Sequence, residues 1–206
     1  WGAPSPREVL RVPLVLLEAL DGGRVKGGVL RSHLQWVTDH QPPDALGKIC
    51  ARVSAETAKI LGSPILPVSW YPFRAVIEAD RAIAAVAAAR DEKNLIRELG
   101  RYSAQINLTT SYKVYNRQDP QEFFASAAQL HAHFQDFGRE EYEKTGPTSC
   151  RISKLDDTCY SKVFCWGALG YYEQATSLQG GKDPAVEETE CVCRGARACR
   201  FEIRWS

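Results

Sequence analysis

Residues 161–206 read SKVFCWGALGYYEQATSLQGGKDPAVEETECVCRGARACRFEIRWS, and this stretch decides what kind of domain the chain forms. Ser161 to Leu178 has helical texture and carries Cys165 and Trp166. Gln179-Gly180-Gly181-Lys182-Asp183-Pro184 is a loop. Val186 to Cys193 and Ala198 to Trp205 then flank Gly195 as a β-hairpin. A turn centred on Gly195 sets Cys191 opposite Cys199 with both side chains on one face of the ladder. Two thiols converge there without any long-range assumption.

Working outward, the first two thirds of the chain read mainly as helices. Val29 to Asp39 places Leu30, Leu34 and Val37 on one face, and Asp44 to Leu61 repeats the pattern with Leu46, Ile49, Val53 and Ile60. Pro72 opens a helix from Phe73 to Arg90 that ends in a run of alanines. Asn94 to Ile106 and Asp119 to Phe137 are further helices, the latter with Asp119 as cap, Pro120 in the first position and Glu122 completing a capping-box spacing. Leu14 to Leu20 reads as a strand, and short antiparallel strands follow Arg139 around Gly146-Pro147. Helices first and a sheet built mainly from the last third predict an α+β fold. At 206 residues with 44% hydrophobic content, one domain spanning 1–206 is expected.

Composition excludes several classes. Charged residues make up 25% with a formal net charge of +1, which gives no electrostatic case for nucleic-acid or membrane-surface binding. The longest apolar run, Ala82 to Ala89, is far short of a bilayer span of about 20 residues. The chain opens on Trp1 and has no Met, the mark of a trimmed start. Seven cysteines, at 50, 150, 159, 165, 191, 193 and 199, are too scattered and odd in number for a secreted disulfide framework. A cytoplasmic protein with metal-binding thiols is the expectation. Ser-His-Asp order with supporting motifs, a glycine-rich phosphate loop and His-Glu-x-x-His are all missing, so a non-enzyme is expected.

For a metal, Cys165 on the last helix is the natural third thiolate beside Cys191 and Cys199. The fourth ligand is Glu188 or Cys193. Cys193 shares a face with Cys191, whereas Glu188 does so only across a bulge or bend. A Cys191–Cys199 disulfide is the alternative that the same hairpin permits.

Cys165-Trp166 followed by Gly170-Tyr171, then Glu188-x-Glu190-Cys191, Gly195 and Cys199, resembles the 4-vinyl-reductase domain family. It looks most like the aromatic-effector-sensing domains of bacterial transcriptional activators. The resemblance implies a structural zinc held by Cys165, Glu188, Cys191 and Cys199. It also implies a TRAPP-like fold, often homodimeric, with an apolar pocket beside the metal. An uncharacterised family expanded in myxobacteria resembles the chain over its full length, through Val25-Lys26-Gly27, Ser69-Trp70-Tyr71-Pro72 and Arg204-Trp205. The His and Trp that phenol-sensing domains place upstream of the first ligand have no counterpart here, so that effector class is not carried over.

The pocket is expected to take a flat, apolar or aromatic ligand and to draw on Trp166, Tyr171, Tyr112, His131 and Phe134. Two other roles compete with this zinc-containing sensor: a TRAPP-like dimerisation module without a ligand, and a tetrapyrrole-binding protein in which His131 or His133 reaches haem iron.

Overall fold

The computed structural model describes residues 17–206. The expected strand Leu14 to Leu20 lies mostly outside them, although Ala19 does form an antiparallel bridge with Tyr160. The elements that follow are β1 (Arg24–Lys26), α1 (Gly28–His40), α2 (Ala45–Cys50), α3 (Ala55–Leu61), β2 (Trp70–Pro72), α4 (Phe73–Val86), α5 (Glu92–Thr109) and α6 (Pro120–Gln129). The last third supplies β3 (Arg139–Gly146), β4 (Ser149–Leu155), α7 (Lys162–Leu178), β5 (Ala185–Glu190) and β6 (Ala198–Arg204). The α+β class expected from the sequence is the class observed.

A four-stranded antiparallel sheet runs in the order β3-β4-β6-β5, and β1 pairs with β2 in a small separate ribbon. Alternation along β4 and β6 buries Cys150, Ile152, Cys199, Phe201 and Ile203 on one face. There they meet Leu169, Tyr172 and Ala175 of α7 in one apolar cluster. The opposite face is polar, with Arg151 bridging Glu143 and Glu202. A second cluster fills the helical half around Leu30, Phe73, Ile77 and Leu99. Trp166 packs against both.

Three helices are shorter or more broken than their periodicity suggests, each for a local reason. The run 44–61 divides because the Ser54 hydroxyl caps α3 by accepting from Thr57 N, while Glu78 accepts from both Ser54 N and Ser54 Oγ. α4 stops at Val86, and Ala88 turns the chain at φ +50°. α6 starts as expected, with Asp119 accepting from Glu122 N. It ends at Gln129, and a single 3-10 turn follows at His131–His133.

α5 and α7 pack without side chains between them. A Cβ on Gly100 would lie 2.0 Å from the Gly167 carbonyl oxygen, and one on Gly170 would lie 1.8 Å from the Arg97 carbonyl oxygen. Two glycines therefore set the helix separation. Beside this seam the buried Glu173 of α7 accepts from Arg97 Nε at 3.1 Å and Arg101 Nε at 2.8 Å.

Candidate functional site

A cavity of about 180 Å³ lies between α1, α5, α6, α7 and the inner face of β4. Apolar and aromatic side chains make most of its wall, among them Val29, Leu108, Phe124, Phe134 and Phe164. Tyr171, Tyr112, His131 and Phe134, four of the five residues expected to line a pocket, lie on this wall; Trp166 does not. The Tyr112 hydroxyl donates to the Pro67 carbonyl at 3.0 Å, and its ring meets Phe134 edge to face at 5.1 Å. Tyr171 and Tyr172 are enclosed, and burial pushes both phenols up, so they stay neutral donors.

Two imidazoles line the cavity and differ in what they have to offer. His131 is committed: Nε2 donates to the Phe137 carbonyl at 3.0 Å, and Nδ1 lies 3.5 Å from Glu140 Oε2. His33 is not. Its Nδ1 sits 2.6 Å from Asp80 Oδ1, both side chains are 3% exposed, and its Nε2 is buried without a partner. In a neutral ring, a carboxylate on Nδ1 fixes the tautomer with the proton on Nδ1 and leaves Nε2 with its lone pair. The sequence singles out His131 and His133 through their adjacency; His33 was missed. Its signal, a His on the inward stripe of a helix that also carries Leu30 and Val37, became informative only when α4 brought Asp80 opposite.

A second constellation lies at the end of α7. Ligand atoms of Cys165, Glu188, Cys191 and Cys199 all fall within 4.8 Å of one another. Their sulfurs are separated by 3.9 Å (165 to 191), 3.7 Å (165 to 199) and 4.0 Å (191 to 199). Sulfurs on a tetrahedral ion with bonds of about 2.3 Å would sit about 3.8 Å apart. Glu188 reaches the group because the ladder shifts register between Glu188 and Glu190, the bulge its participation requires. Its Oε2 pairs with Lys162 Nζ, and its Oε1 is buried without a partner. Hydrogen bonds from Cys165, then Cys193 and Cys199, together with the Lys162 ammonium, hold the Cys191 thiol far below its ordinary value. All seven cysteines are free, so the alternative disulfide is not formed.

No protein-family model matches the chain, and no curated protein does. Solved structures do. The Fe(II) unliganded H-NOX protein from K. algicida superposes with a TM-score of 0.65 at 13% identity, over 88% of this chain and 96% of its own. An H-NOX protein from S. oneidensis in the Fe(II)NO ligation state gives 0.66 at 10% identity, over 88% and 99%. An oxygen-binding H-NOX domain related to soluble guanylate cyclases gives 0.62 at 12% identity, over 88% and 95%. These findings correct two expectations. The resemblance to the 4-vinyl-reductase and TRAPP families does not stand, because it rested on spacing within the last forty residues while the likeness to H-NOX structures runs over most of the chain. Structural zinc as the domain's cofactor does not stand either, since the proteins sharing this architecture are described by their iron and by haem distortion. The chain has the fold of the H-NOX proteins.

Proposed function

We propose that residues 17–206 form a single small-molecule sensory domain whose cavity receives haem or a related flat tetrapyrrole, with His33 as the nitrogen ligand to the metal. The observation that carries this reading is the His33 Nε2: a lone-pair nitrogen, braced by a carboxylate, without a partner at the wall of an apolar cavity. The fold likeness to H-NOX proteins supports it. Bound haem would supply an iron able to take a small gaseous ligand. Asp80 would keep the imidazole oriented, the phenylalanine rings would exclude water from the macrocycle, and Tyr171 and Tyr172 would offer neutral hydroxyl donors. The reading contains no catalytic step.

A macrocycle seated against His33 would press on the wall made by α6 and the turn at His131–His133, whose Phe124, Ala127, Leu130 and Phe134 line the cavity. α6 is tied to the sheet at its start, where Gln121 Nε2 donates to the Gly146 carbonyl at 2.9 Å. Displacing it would carry occupancy to the β3–β4 turn, a differential contact of the kind a ligand needs in order to shift a conformational equilibrium. Among the described residues no helix is long and apolar enough to cross a membrane. The free thiols support a cytoplasmic setting.

Titration of the purified protein with haemin is expected to produce a Soret band that saturates at one equivalent. His33→Ala should shift that band and weaken binding about tenfold or more, the scale of one lost coordinating contact. A Soret band identical in the wild type and the variant would remove His33 from the role; no band at all would remove the haem reading.

The sulfur spacing favours a second, separate role for the cluster at the end of α7. In this reading Cys165, Glu188, Cys191 and Cys199 hold a metal ion that ties α7 to the β5–β6 hairpin. Elemental analysis of protein purified under reducing conditions is expected to find one equivalent of metal. Cys199→Ser should abolish it and lower the melting temperature by about 5 °C or more. A metal-free wild type whose stability is indifferent to chelator would refute this role.

A further inference from the structure

The two oxygens of the Glu188 carboxylate have unlike surroundings. Oε2 meets two cations: it pairs with Lys162 Nζ, and Arg194 Nη2 lies 3.7 Å from it. Oε1 is buried and has no partner among the described residues. Carboxylate and ammonium are both enclosed, at 5% and 12% exposure. Lys162 owes its place to α7, where it is the first residue, one turn ahead of Cys165 on the same face. Its Nζ also lies 3.6 Å from Cys191 Sγ. A fifth thiol stands close by. Cys193 is 0% exposed and adjoins Cys165 and Cys191, yet it is not one of the four residues whose donor atoms converge within 4.8 Å.

A buried carboxylate oxygen without a hydrogen bond is costly, and a cation is a partner that relieves it. Thiolate is the softer donor, so a thiophilic ion with a free choice would take Cys193 over a carboxylate. Orientation decides between them. We propose that Lys162 is the positioning residue that makes Glu188 the fourth ligand: by holding Oε2 it leaves Oε1 as the donor for the ion and keeps Cys193 outside the coordination sphere. The proposal rests on the cluster being a metal site. It adds the residue that fixes the ligand set, and the charge of the ion. Three thiolates and a carboxylate around a divalent ion leave two negative charges, which Lys162 and Arg194 balance.

Titration with cobalt(II) under reducing, oxygen-free conditions tests this, because thiolate-to-cobalt charge-transfer absorption in the near ultraviolet grows with each sulfur ligand. The wild type is expected to bind one equivalent with the intensity of three thiolates, and Cys193→Ser should leave that spectrum unchanged. Lys162→Met should admit Cys193, raising the intensity by about one third as a fourth sulfur joins the tetrahedral site. Lys162→Arg should keep the wild-type spectrum. With Cys193→Ser added to Lys162→Met no spare thiol remains, and affinity should fall about tenfold or more, the usual effect of losing the outer partner of a ligand. A four-thiolate spectrum in the wild type, a change on Cys193→Ser alone, or a Lys162→Met protein whose spectrum and affinity match the wild type would overturn the proposal. A wild type that binds no cobalt would remove the metal site itself, and the proposal with it.

Discussion

Gly170→Ala is expected to destabilise the protein by about 3 kcal/mol, the upper end of the usual cost of overpacking, and to lower its melting temperature by about 10 °C. The added methyl would sit 1.8 Å from the Arg97 carbonyl oxygen, 2.7 Å from its carbon and 3.0 Å from Arg101 N. All three are backbone atoms, so no rotamer change relieves the clash and α5 must move away from α7. Helix propensity alone argues the other way, because alanine in a helix interior is favoured over glycine by about 1 kcal/mol. Gly47→Ala in α2 supplies the control: its Cβ would meet nothing within 4 Å, and that variant should gain stability. Thermal unfolding of the two variants decides the matter. Equal effects would mean that α5 and α7 are not as close as described.

Phe201→Ala should cost about 4 kcal/mol, the usual penalty for emptying a fully buried aromatic site. Phe201 is 0% exposed at the centre of the sheet's inner face and meets the Tyr172 ring edge to face, with centroids 5.3 Å apart. Tyr172 also lines the cavity, so removing its support should loosen the α7 wall as well as the core. Urea denaturation should show a lower midpoint with an unchanged slope, the mark of lost stability rather than altered compactness. A loss below about 1 kcal/mol would mean that neighbouring side chains collapse into the space.

Local chemistry was legible in the sequence wherever it was decided within a few residues. The Asp119 cap with Pro120, the helix carrying Cys165 and the hairpin around Gly195 were all readable because each is specified by near neighbours. The approach of Cys191 to Cys199 followed from the turn alone. The register shift that Glu188 would need in order to join them is present as well. What was not legible depended on distant partners. His33 becomes notable only because Asp80, on another helix, faces it. The division of residues 44–61 depends on Glu78 reaching back to Ser54, and the β1–β2 ribbon pairs segments more than forty residues apart. The family resemblance misled for a related reason: a thiol pattern confined to the last helix and hairpin says little about α1, α5 and α6, which with α7 build most of the cavity wall.

The sheet order has a consequence for solubility. β3 and β5 are its two edges. Each carries acidic side chains toward solvent, Glu141 and Glu143 on one and Glu187 on the other. An edge strand is an open template for the backbone of another chain. Here, docking two copies through β5 would bring Glu187 side chains together, whereas on β3 Glu141 and Glu143 are held by Arg139 and Arg151, so an incoming chain would have to desolvate these ion pairs. Salt screens such exposed charges, so crowded solution at high ionic strength is the condition in which these two edges are most open to pairing with another chain.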